Sequence, residues 1–206
     1  MIAPAVGELG DDRIAAHRGS PVGAMIASGF GLVWLEWGAS GMTGSASAAV
    51  RVFGLLVGFG ILLWSGGQWR AAHRDHGAER QGRRRKGSVS MFSSRAFWVV
   101  AALEVVAIRG GTWAVAAAGH PEYLIVWVAT VVGAHFLAFG RLFWPGFYWS
   151  GAALLAAGLA GLAVGLVGAA ASDIEVTTGL MAGASLLGAG AAGAVTTQKG
   201  LAARGA

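Results

Sequence analysis

Two apolar runs in tandem constrain this chain more than any other stretch. They read FWVVAALEVVAIRGGTWAVAAA (97–118) and EYLIVWVATVVGAHFLAFG (122–140), with a break at Gly119-His120-Pro121 between them. A helix needs about 20 apolar residues to cross a bilayer, and each run is that long. Yet the pair carries Glu104, Arg109 and His135 in its interior. An ionisable group in hydrocarbon is costly, so it must face a partner or a water-filled cavity. The stretch therefore predicts two membrane helices that bring polar groups into the bilayer.

The rest of the chain follows the same pattern. Only 12% of its 206 residues are charged and 55% are hydrophobic, against about 25% charged in an average soluble domain. A chain this short lacks the core needed to hide so many apolar runs in a soluble fold. Further spans are expected at 22–38, 50–67, 147–168 and 176–195. The predicted fold is all-α, a single transmembrane domain of six helices. The nine Trp residues fit interfacial anchoring, notably Trp34 and Trp37, Trp64 and Trp69, and the aromatic turn around Trp144 and Trp149.

Topology follows from the basic residues. The 68–96 segment holds Arg70, Arg74, Arg80, Arg83, Arg84, Arg85, Lys86 and Arg95, lacks apolar periodicity and is read as a largely unstructured loop. Loops rich in Lys and Arg stay cytoplasmic. With six spans, the 1–20 tail, the Arg141 turn and the Lys199/Arg204 tail lie on that same side, so both termini are cytoplasmic. The uncharged 38–49 loop and the Asp173/Glu175 loop fall outside. Only Arg51 breaks the pattern. The net charge of +5 thus concerns membrane orientation, not nucleic acid. Arg83-Arg84-Arg85-Lys86 is also placed to attract anionic lipid head groups. Ala, Gly and Arg are abundant and Lys scarce, which suits a GC-rich bacterial genome and hence the inner membrane.

Depth can be counted at 1.5 Å per helical residue. Glu104 lies roughly 10 Å from the cytoplasmic start of its span and His135 roughly 8 Å from the cytoplasmic end of the next. The two are at similar height on antiparallel neighbours and are expected to meet. Arg109 lies at roughly 18 Å and Glu36 at roughly 21 Å. Glu36 is expected to pair with Arg109 or with Arg51. This predicts an inner polar layer of Glu104 and His135 and an outer layer of Glu36, Arg109 and Arg51. Glu104, Arg109, His135 and Glu36 are the candidate pathway residues for a small substrate or ion.

The last two spans are rich in glycine. Gly161-x-x-x-Gly165 and Gly179-x-x-x-Gly183 match the small-xxx-small pattern of closely packed helices. They serve packing within the chain or the formation of a homodimer. No internal repeat is visible.

Several other patterns carry no chemistry. Gly38-Ala-Ser40-Gly41 imitates a rhomboid-protease nucleophile motif, but Ser40 and His135 belong to opposite ends of the membrane. His73-x-x-His76-x-x-Glu79 sits in an Arg-dense segment and reads as a solvated charge run. A single His within the spans excludes bis-His haem ligation inside one chain. The absence of cysteine excludes thiolate sites and disulfides. No catalytic set, cofactor site or metal site is expected.

Gly133-Ala-His135-Phe136 with Arg141-Leu-Phe143 resembles uncharacterised small bacterial multi-pass membrane proteins that carry a His-Phe pair late in a span. The resemblance covers about a dozen residues and implies a class, with no activity attached. Two functions are expected from the residues: a small transporter or permease lined by the four candidates, or a non-catalytic scaffold or accessory subunit whose ion pairs are structural.

Overall fold

The computed structural model describes residues 21–79 and 94–205. All its regular structure is helical: α1 (Pro21–Ser40), α2 (Gly44–Glu79), α3 (Arg95–Ala117), a 3-10 turn (Pro121–Tyr123), α4 (Leu124–Leu142), α5 (Phe147–Leu166) and α6 (Ala171–Gly205). Six of these helices are long and apolar enough to cross a membrane. The protein is thus an all-helical chain with six candidate transmembrane helices. The 1–20 tail and the Arg83–Lys86 cluster lie outside the described residues.

Several boundaries differ from the sequence reading. The last helix runs Ala171–Gly205 rather than 176–195, so Asp173 and Glu175 lie in its first turns and not in a loop, with Asp173 accepting from the Ala170 N–H, and Lys199 is helical. The expected 38–49 loop shrinks to 41–43, because α2 begins at Gly44. That glycine has φ +66, a left-handed conformation that costs other residues more. The Ser/Ala run after it holds no breaker, so the helix forms early and Arg51 lies within α2. At its other end α2 continues through Glu79. The segment that reads as unstructured from Gln68 is therefore helical over its first part. One reason is Gln68 itself, a buried residue whose Nε2 donates to Ala194 O on α6 at 2.9 Å.

The helices do not share the interior equally. The main buried cluster draws Trp34 from α1, Ile125 and Ala129 from α4, Leu154 and Ala157 from α5, and Ile174 and Leu186 from α6. Trp34, expected at the interface, is thus a core residue, with Trp37 stacked on it, because that face of α1 packs against the other helices. A second cluster joins Ala24 and Leu35 of α1, Ile61 of α2, and Leu187 and Ala194 of α6. No residue of α3 is buried. Among the described residues it touches only α4 and the 3-10 turn, while α2 touches only α1 and α6. Among the described residues α2 and α3 do not meet. The architecture is a four-helix centre of α1, α4, α5 and α6, with α2 and α3 as separate flanking helices.

Glycine explains why the centre is tight. Lipid tails are as apolar as leucine, so helices in a bilayer associate through close packing rather than through hydrophobic gain. A Cβ on Gly38 of α1 would sit 2.8 Å from the backbone N of Leu180 on α6. One on Gly179 would strike the backbone of Gly38. A turn further, a Cβ on Gly183 would sit 2.8 Å from the N of Leu35. The α4–α5 seam repeats the device: a Cβ on Gly151 would lie 2.8 Å from Gly133 O. Gly161 and Gly165 face Thr178 and Tyr123. The glycines of both small-xxx-small motifs thus meet neighbours within their own chain.

Candidate functional site

Antiparallel pairing of α3 and α4 brings Glu104 against His135. The Oε2 and Nδ1 atoms are 3.0 Å apart, with the side chains 20% and 11% exposed. This is ion-pair distance. The ring does not, however, aim an N–H along the line, and Nδ1 makes no well-formed hydrogen bond.

Around the pair stands a shell of aromatic rings. The Phe139 ring centroid is 4.0 Å from that of His135, and Phe136 packs edge-on at 5.6 Å. Phe97, near the start of α3, stacks on Phe139 at 5.4 Å. Farther along the same seam the Trp127 indole N–H donates to Ala107 O at 3.0 Å. Its ring lies over Gly111, where no Cβ would fit. Phe97, Glu104, Ala107 and Gly111 recur every three to seven residues, so they form one face of α3. That face meets α4, with Val100, Ala101 and Ile108 half-buried beside it. Sequence reasoning finds Glu104 and His135 by depth, misses Phe97 and Phe139, and takes Trp127 for an interfacial anchor when its indole lies in the α3–α4 seam, because aromatic residues at helical spacing have no signature that separates a ring cluster from ordinary packing.

The second charged pair joins α1 to α2. Arg51 and Glu36 approach to 3.0 Å, with 42% and 62% of their side chains exposed. They sit in an apolar groove of about 310 Å³ between the two helices, beside Leu32, Val33 and Leu55. Of the two expected partners for Glu36, the structure brings up Arg51.

Arg109 joins neither pair. It is exposed, and among the described residues its side chain makes no ion pair or hydrogen bond. The α3 centre falls near Val106, so Arg109 is only about 4–5 Å from the middle of its helix. The four candidates therefore do not converge. Glu104 and His135 meet at one seam, Glu36 lies in a groove on another, and Arg109 points away from the bundle.

Further polar groups are buried that depth counting does not reveal. Ser28 donates to Ala24 O at 2.8 Å. Ser65 Oγ, Thr178 Oγ1 and Gln68 Oε1 are buried without a hydrogen-bond partner among the described residues. Small hydroxyls are common in apolar helices, and nothing in the sequence marks these three. Among the described residues no three His, Asp or Glu side chains converge as metal ligands. No protein-family model matches the chain, and no curated protein or solved structure matches it significantly.

Proposed function

We propose that this chain is a non-catalytic multi-pass membrane protein, a scaffold or accessory subunit, in which the acid–base pairs fasten flanking helices to the centre. One observation carries the reading: each flanking helix has one such pair, Glu36–Arg51 for α2 and Glu104–His135 for α3. Interhelical polar contacts in bilayers commonly serve this purpose. A transport pathway asks instead for polar residues around a shared space, and these four stand in three places.

The proposed orientation keeps both termini cytoplasmic, in the bacterial inner membrane. Arg70, Arg95, Arg141 and Lys199 all fall toward one end of the helices, while Glu122, Asp173 and Glu175 fall toward the other. The positive-inside rule makes the basic end cytoplasmic. There the Arg83-Arg84-Arg85-Lys86 segment would meet anionic head groups.

The test is proton flux. The protein is reconstituted into liposomes that hold a pH-sensitive dye, and a pH step is applied. The scaffold reading predicts the same decay with and without protein. A protein-dependent flux that Glu104→Gln abolishes would replace it with the transporter reading.

A further inference from the structure

The outward face of α3 is apolar except at its middle. Leu103, Val106 and Trp113 are 62%, 68% and 75% exposed, and Arg109 lies among them. In the bundle as it stands, this guanidinium faces the region of the acyl chains. To reach a head group it would have to travel about 10 Å along the membrane normal, given a core about 30 Å thick. A carboxylate on an adjacent helix at the same depth would be a nearer partner.

The chain itself displays such a group. Successive spans alternate in direction, so α1 and α3 run the same way. Their ends are level: Gly41, just past α1, packs on Ser172 at the start of α6, and Gly165 of α5 packs on Tyr123, just past α3. Glu36 is then about 6 Å below the end of α1 and Arg109 about 12 Å below the end of α3. Two long side chains bridge that difference. Glu36 is 62% exposed and sits beside the apolar groove between α1 and α2. Its carboxylate already meets Arg51, but two oxygens can accept from a second guanidinium.

We propose that the outward stripe of α3 docks into the α1–α2 groove of a second copy of this chain, with Arg109 bound to Glu36 of that copy. Charge and depth favour this occupant over a lipid head group or an unrelated protein. The inference does not rest on the fastening role proposed above, since Arg109 belongs to neither pair. The copies associate or fail to whatever the flux experiment returns.

The absence of cysteine makes the test direct. Two single-cysteine variants, Val106→Cys and Leu55→Cys, are co-expressed, and their membranes are oxidised with iodine, an apolar oxidant that enters the lipid and joins two neighbouring thiols as a disulfide. A cross-linked dimer of the two variants is expected. Adding Arg109→Leu to the first or Glu36→Gln to the second should cut its yield at least tenfold. Arg141→Gln removes an exposed cation at the end of α4, outside both docking faces, and should leave the yield within twofold. Exchanging the charges, Arg109→Glu in the first variant and Glu36→Lys in the second, should restore the product, which a loosened α1–α2 hairpin would not do. No dimer would overturn the proposal, as would a dimer indifferent to Arg109→Leu. A product from Val106→Cys alone would place α3 against α3 and overturn the pairing. Adducts with other proteins only would point to a different partner and overturn it too.

Discussion

The α1–α6 seam and the α3–α4 seam solve the same problem in opposite ways. At the first, Gly38 and Gly179 bring two backbones into contact, and Gly31 and Gly183 extend the close approach. No charged pair is needed there. At the second, α3 has no buried residue, and an acid–base pair, an indole N–H and stacked rings hold it to α4. Dispersion forces add up only where many atoms approach closely. A helix that lacks that approach needs directional contacts. The difference teaches that ionisable residues in a small membrane protein can mark its weakest seams.

The largest effect should come from filling the tight seam. Gly179→Leu would push side-chain atoms into the α1 backbone. Overpacking of this kind costs about 1–3 kcal/mol and occasionally more, and here the atom to be moved is main chain. Unfolding in detergent should show destabilisation of the whole bundle. A variant as stable as the parent would break the comparison.

Gly111→Ala should come next. The added methyl would displace Trp127 and its hydrogen bond to Ala107 O, at a cost of about 1–3 kcal/mol by the same reasoning. The loss should stay local. Limited proteolysis near residues 95–117 should speed up while cleavage around α1 and α6 does not.

Glu104→Gln should be milder. Interhelical polar contacts in a bilayer average about 0.6 kcal/mol, with the largest near 1.7. Combining it with His135→Phe should cost less than the sum of the two single changes, because each removes the same contact. Strict additivity in the unfolding free energies would mean that the two side chains do not interact.

Arg51→Gln should do least to stability. The pair lies within roughly 10 Å of the helix ends, α2 is also held by Ile61 and Gln68, and interhelical polar contacts in bilayers are small, so the loss should stay within about 1 kcal/mol. A shift in unfolding midpoint beyond that range would show that the α1–α2 groove is more enclosed than its exposure suggests.

Much of this architecture is legible in the sequence. Apolar run length places six spans, and counting 1.5 Å per residue puts Glu104 level with His135. The small-xxx-small motifs foretell close packing, although spacing alone does not say that Gly179 would find Gly38. Other features resist reading for physical reasons. The start of α2 depends on one glycine adopting a positive φ, which no periodicity shows. The continuation past Gln68 depends on a hydrogen bond to a carbonyl 126 residues away in sequence. Arg109 is the sharpest case. Its depth can be counted, but the direction it faces depends on which side of α3 meets α4, and that choice is made by Phe97, Glu104, Ala107 and Gly111 together.

Hydrogen exchange of α3 measured against α6, in the parent and in Glu104→Gln, tests most directly whether the charged pair fastens a loosely packed helix. Faster exchange is predicted across 95–117 in the variant, with α6 unchanged. Equal exchange in parent and variant, or a rise spread evenly over both helices, would contradict the account.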